Sequence, residues 1–207
     1  MLTDKNLKEF AEELASDAPT PGGGAASAYA GVMSAGLCMM VANLTIKNKN
    51  FASVHPEMME VISKAELLKK RLTDLVEEDA DAFTKVMDGF KMPKSTDEEI
   101  EARKNYLQNA LKKAAEVPFE IADKSYEIFD LLDIVVEKGN QNAITDVGVS
   151  AHCAYTAVKG ALLNVYINLS SIKDEEFTKQ YKEDSQNLER MSRVRVLEIE
   201  KKVKEKL

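Results

Sequence analysis

The feature that most constrains this chain is a long run without charge. From Ala18 to Ile46 there is not one charged side chain, in a protein that is 30% charged overall. Three consecutive glycines, Gly22, Gly23 and Gly24, open the run behind Pro19 and Pro21, and the residues after them present no polar face. A helix that is apolar all round has to be buried all round. The run therefore predicts a central helix with the remaining helices packed around it. One stripe, Ala28, Gly31, Ala35, Cys38 and Ala42, uses only small residues and lets a neighbouring backbone come close. The bulkier Val32, Met33, Leu37, Met40 and Val41 cover the other sides. Such a run is also long enough to cross a bilayer. It is, however, rich in Gly, Ala and Ser, poor in Leu and Ile, and lacks aromatic belts or a second span, so the reading is a core helix and no membrane partner. Acidic helical residues precede it and no basic n-region exists, which excludes a signal peptide.

The rest of the chain repeats with helical spacing. An amphipathic helix is expected over Thr3 to Ser16, with Leu7, Phe10, Ala11 and Leu14 inward. A polar loop over Lys47 to Ser53 leads to a long helix from about Pro56 to Phe90. Thr96 and Glu99 form a capping box for the next helix. Pro118 kinks that helix or starts a new one, and Gly139 is its C-cap. Asn140 to Asn168 reads as a second charge-poor helix, and Ser171 or Asp174 caps a last, strongly charged one. The fold class is all-α, a single-domain multihelical bundle over residues 1–207 with a buried central helix. At 207 residues the chain is long enough to bury a real core.

Charge and composition remove several partner classes. A net charge of −7 offers no basic surface to release counterions from nucleic acid or an anionic membrane. Cys38 and Cys153 both lie in apolar helical contexts and read as two buried, reduced thiols of a cytoplasmic protein in preference to the alternative, a structural disulfide. His55 and His152 stand far apart without Cys or His companions, so no metal site is expected. His152, off any polar stripe, reads as a satisfied core histidine.

Two places could carry chemistry. In EEDAD, Glu77 and Asp81 fall on the solvent side, whereas Asp79 falls in line with Leu72, Leu75, Val76, Phe83 and Val86. A carboxylate on a core-facing stripe is costly unless paired. Burial raises its pKa, which suits a general acid or base. The alternative is a structural acid bonded to a neighbouring helix. The second place is the stripe Asn142, Asp146, Cys153, Ala157, Gly160, Asn164 and Asn168. Small and amide residues at that spacing either permit tight packing or line a narrow polar groove for a flat heterocycle, which Asn amides can pair. The glycines open a helix whose free amides could receive an anion, and Lys47 and Lys49 could hold a ligand carboxylate.

Four ordered segments, PTPGGGAASA, LVEEDADAF, GNQNAITD and NVYINL, resemble the C-terminal domain family of formiminotransferase-cyclodeaminases, over about Leu7 to Phe177. That family includes stand-alone formimidoyltetrahydrofolate cyclodeaminases and methenyltetrahydrofolate cyclohydrolases. The resemblance implies a homodimer, a reduced-folate substrate and no cofactor beyond tetrahydrofolate itself. It carries over to Pro21 to Gly24, Asp79, Phe83, Gly139, Asn140, Asp146, Asn164 and Asn168. Thr145 departs from the Ser more often found before the Asp but keeps the hydroxyl.

The expected reaction is cyclodeamination, in which N10 of 5-formimidoyltetrahydrofolate attacks the formimidoyl carbon and ammonia leaves. Asp79 is expected to shuttle the proton and Asp146 to stabilise the developing iminium. Pro21, Gly22, Gly23, Gly24, Lys47, Asn140, Asn142, Thr145, Asn164 and Asn168 are expected to bind the substrate. The alternatives are hydrolysis of the methenyl bridge in the same pocket, or a helical dimerisation module without catalysis.

Overall fold

The computed structural model describes all 207 residues. It contains six α-helices and no strand: α1 (Leu7–Leu14), α2 (Gly23–Lys47), α3 (His55–Lys91), α4 (Asp97–Lys138), α5 (Ile144–Leu169) and α6 (Glu175–Glu205). Short 3-10 turns, Leu2–Asp4, Lys49–Val54 and Gln141–Ala143, join them. α2 packs against α3 on one side and α5 on the other, while α4 lies behind all three and α6 flanks α5.

Small residues set the closeness of these crossings. A Cβ on Gly31 would stand 2.7 Å from Ser125 Oγ and 3.0 Å from a Leu72 methyl, and one on Gly160 would collide with Ser27 Oγ. α2 and α5 run antiparallel, and three contacts define their register. Gly160 meets Ser27, Ser34 and Ser150 exchange hydroxyl-to-carbonyl hydrogen bonds of 2.8 and 2.7 Å, and the Asn140 amide donates to Thr45 Oγ1 at 2.8 Å.

Several local expectations hold in detail. Thr96 and Glu99 form the capping box of α4, and Asp174 caps α6 through the Phe177 amide. Gly139 is the C-cap of α4, with extended backbone (φ −74°, ψ 171°) and a Cβ position pressed against the Val135 carbonyl.

Four expectations need correction. The first helix is shorter than Thr3 to Ser16. Asn6, with Glu9, caps it in a capping box, and none of its residues is buried; Phe10 leans on Tyr29, at a centroid distance of 5.7 Å. α2 is not buried on every side. Its Ala/Gly/Ser face is enclosed, but Met33, Met40 and Leu44 are exposed. His152 is exposed on α5, 3.7 Å from Glu200, because its position falls on the outer face rather than the packed one.

The fourth correction concerns Pro118 as the start of a new helix: α4 runs through it unbroken. A proline inside a helix has no N–H for the carbonyl four residues earlier, here that of Ala114. The Asn168 side chain on α5 supplies the missing donor, with Nδ2 to Ala114 O at 2.7 Å. A lesion that would orphan a buried carbonyl is thus repaired from the neighbouring helix.

One helix, α2, has the length and apolar composition of a membrane span. In this fold its residues are packed between α3 and α5, with 56% of the most apolar window buried. Cys38 and Cys153 are free thiols, and burial pushes the Cys38 thiol up to about 12.

Candidate active site

The cleft begins where α2 begins. Gly22 caps α2 without a side-chain hydrogen bond, so the first amides of the helix have no partner from the cap residue. Asp79, in the C-terminal half of α3, reaches this helix end. A Cβ on Gly24 would overlap the Asp79 carboxylate, so only glycine leaves room for it. Gly24 needs to be glycine for this close approach, not for an unusual φ.

No cation pairs with Asp79. Half-burial raises its pKa to about 6, and a hydrogen bond from the Ala25 amide pulls the other way without cancelling it. The carboxylate therefore titrates near neutrality beside a helix N-terminus whose dipole favours its ionised form. Paired acids elsewhere behave differently: the Arg71 guanidinium, which pairs with Glu78 of its own helix and clamps α3 to α4 through Glu120, holds the Glu120 carboxyl below its usual range.

Asp79 faces a cleft of about 330 Å³, within the range of small-molecule sites. Gly22, Gly23 and Gly24 form one rim with Pro19 and Thr20. Phe83, Val86, Met87 and Phe90 continue the Asp79 face of α3 and form an apolar wall. Asn164 and Asn168 of α5 close the far side with Ala114 of α4. Asn164 donates to Gly160 O at 2.9 Å, and Asn168 to Ala114 O and Asn164 O at 2.7 and 2.9 Å. Both amide nitrogens are thus fixed, which leaves each side-chain carbonyl oxygen without a partner in the chain.

The structure brings together one part of the expected set and separates the other. Gly22, Gly23, Gly24, Asp79, Asn164 and Asn168 share the cleft, while Pro21 is buried behind the glycines rather than lining it. Lys47, Asn140, Asn142, Thr145 and Asp146 lie at the other end of the α2–α5 pair, where the Asn140 amide meets Thr45. Asp146 is half-buried in the first turn of α5, and Lys47, Asn142 and Thr145 are exposed. Gly24 and Thr45 are 21 residues apart on one helix, or about 30 Å at 1.5 Å per residue. Within one chain, Asp79 and Asp146 do not wall a single slot.

Met87 and Phe90 escaped the sequence reading although they extend the i, i+3, i+4 series from Asp79 through Phe83. Ala114 carried no signal of its own; its only clue was Pro118, four residues later.

An all-α chain with an unpaired acid lodged against a glycine-opened central helix defines a narrow class. Residues 6–187 match the family model described as formiminotransferase-cyclodeaminase, and the chain belongs to that family. It is 42% identical over 180 residues to the methenyltetrahydrofolate cyclohydrolase of Methylorubrum extorquens, covering 87% of this chain and 86% of that one. It is 32% identical over 176 residues to the formimidoyltransferase-cyclodeaminase of Rattus norvegicus, of which the match covers 32%, about a third of that protein's length. Among solved structures it superposes on the formiminotetrahydrofolate cyclodeaminase of Thermotoga maritima with a TM-score of 0.82, at 33% identity, over 100% of this chain and 98% of that one.

Proposed function

We propose that this chain is a folate enzyme that makes or opens the 5,10-methenyl bridge of tetrahydrofolate in the Asp79 cleft, working as a homodimer. The observation that carries the proposal is Asp79 itself: unpaired, half-buried, seated on Gly24, and titrating at about 6 at the mouth of a cleft that fits a small molecule. The Phe83–Met87–Phe90 wall offers a face for the flat pterin and benzoyl rings. The free carbonyl oxygens of Asn164 and Asn168 accept from ring N–H groups.

Hydrolysis of the bridge is favoured by the 42% identity, over nearly equal lengths, to a protein named as the cyclohydrolase. Water adds to the bridging carbon of the methenyl cation as Asp79 takes one of its protons, and the remaining hydroxyl proton of the adduct passes to N5 as the C–N5 bond breaks, giving 10-formyltetrahydrofolate. Cyclodeamination, the reading suggested first by the motifs, has on its side the cyclodeaminase that shares this fold end to end at 33% identity. In that direction N10 adds to the formimidoyl carbon, and Asp79 relays the N10 proton to the departing nitrogen, which leaves as ammonia. Positioned proton transfer of this kind contributes about 10²–10⁴-fold. Holding the reacting atoms together supplies more, as effective molarities of about 10⁵–10⁸ M show.

Purified protein incubated separately with 5-formimidoyltetrahydrofolate and 5,10-methenyltetrahydrofolate decides between them. Methenyl absorbance rises and ammonia is released in the first case, whereas absorbance falls in the second. Turnover of neither folate removes the proposal.

A further inference from the structure

An asparagine side chain is ordinarily ambivalent, because turning its amide over exchanges two N–H donors for a carbonyl acceptor. Asn168 has lost that freedom. Its Nδ2 donates to Ala114 O at 2.7 Å and to Asn164 O at 2.9 Å, so both N–H groups are engaged. Turned over, Oδ1 would face two carbonyl oxygens and offer neither a proton. As it stands, Oδ1 accepts from no group of the chain and is not sealed inside the protein. It opens on the Asp79 cleft, which Asn168 lines. Asn164, one turn earlier, donates one N–H to Gly160 O and keeps both a second N–H and its carbonyl oxygen. Of the two asparagines, only Asn168 is restricted to accepting.

The restriction originates on α4. Ala114 is buried, and its carbonyl is free for Asn168 because Pro118 has no N–H to give it. An ordinary residue at 118 would donate to that carbonyl from its own backbone. Asn168 would then be held by Asn164 O alone, which the α5 ladder also uses.

We infer that Pro118 is a positioning residue for the cleft, and that Asn168, held by it, selects ligands that present an N–H donor. On the folate reading, on which this inference rests, that donor is N8–H of the reduced ring. The pyrimidine ring sets its 2-amino donor beside the N1 acceptor, a pattern that matches the mixed face of Asn164. N8–H follows on the same edge, where it meets the acceptor-only Asn168 about 6 Å further along α5. In folic acid the second ring is aromatic and N8 presents a lone pair instead. A site built to bind an N–H rejects the analogue lacking it, because the site's own polar group is then left unpaired. The Pro118–Asn168 pair therefore reads the oxidation state of the ring.

Ligand binding to the full chain tests this without turnover. Calorimetry with 5-formyltetrahydrofolate, which keeps N8–H, and with folic acid, which lacks it, gives a ratio of affinities for each protein. In the wild type the reduced ligand binds about tenfold more tightly or better. Pro118→Ala lets the Asn168 amide turn and meet the N8 lone pair with an N–H, so folic acid gains and the ratio falls by about threefold or more. In Pro118→Ala/Asn168→Leu, α4 supplies its own donor while residue 168 neither gives nor accepts. There 5-formyltetrahydrofolate weakens about tenfold and folic acid does not weaken. Equal weakening of both ligands is what a structural role alone produces, and it overturns the inference. A wild type without preference, or a ratio that Pro118→Ala leaves unchanged, overturns it too.

Side-chain amide exchange followed by NMR separates this from the folate reading. With isotope-labelled asparagine, both Asn168 N–H protons exchange slowly in the wild type, and one becomes fast in Pro118→Ala. That change, seen where neither folate binds, upholds the positioning by Pro118 and removes the folate reading. Equal protection in the two proteins overturns the positioning itself.

Discussion

Replacing Asp79 by Asn removes the charge while keeping the shape and the acceptor for the Ala25 amide. The carboxyl titrates at 3.8 when exposed and at about 6 in the fold. The folded chain therefore binds this proton more tightly than the unfolded one, and stability contributed by the protonated form is complete below about 4. It is lost as pH rises through 6. The full shift of about two pH units corresponds to about 3 kcal/mol at 1.36 kcal/mol per unit. Asp79 is only half-buried, so screening by water brings the expected value to about 1–3 kcal/mol. Asp79→Asn should match wild type at pH 4 and exceed it at pH 8, by roughly 2–4 °C in Tm per kcal/mol for a chain of this size. Thermal unfolding followed by circular dichroism across that range reads the difference, while at pH 8, where wild-type Asp79 is ionised, kcat falls by about 10²–10⁴-fold. A difference in Tm that does not change with pH, or a variant that is less stable at pH 8, refutes the claim that Asp79 is held ionised at a cost.

Other perturbations probe neighbouring claims. In the wild type, kcat/KM should rise with pH through about 6 as Asp79 ionises, and a flat pH profile argues against its role as base. Gly24→Ala puts a Cβ where the Asp79 carboxylate now sits, so activity should drop toward that of Asp79→Asn while the far-ultraviolet spectrum keeps its helical form. Gly31→Leu overfills the crossing of α2 with α3 and α4, and chemical denaturation should show a loss of about 1–3 kcal/mol or more; an unchanged midpoint would falsify the close-packing account. Asn168→Ala orphans the Ala114 carbonyl and should destabilise by about 1–3 kcal/mol. Pro118→Ala restores a backbone donor, so in the double variant most of that loss should disappear, and additive effects in the cycle would argue that the two positions are uncoupled.

The angular pattern of the helices was legible, and the axial one was not. Hydrophobic spacing reports which side of a helix faces inward, and it placed Asp79 correctly on the packed face of α3. It carries no information on which end of a helix meets which neighbour. Asp146, Asn164 and Asn168 share one azimuth on α5, yet Asp146, like Asn142 in the turn before the helix, lies about 30 Å from the cleft that the two asparagines line. The same limit explains α2. An uncharged run shows that solvent is avoided, not what does the excluding, and Met33 and Met40 stay 45% and 38% exposed. Caps at Asn6, Thr96 and Asp174 involve residues only a few positions apart. Thr96 can be read directly and Asp174 as one of two candidates with Ser171, whereas Asn6 is hidden inside a helix drawn too long. Pro118 misled because its repair comes from Asn168, 50 positions later in the chain.

That repair restricts the order in which substitutions can accumulate. A proline arriving at position 118 before an asparagine stood at 168 would have met a bare carbonyl inside the protein, whereas the reverse sequence of events passes through no such penalty. Once both are present, Asn168 cannot drift while the proline stands, whereas Pro118 is free to revert first, and the shape of the cleft floor is inherited along with that one-way dependence.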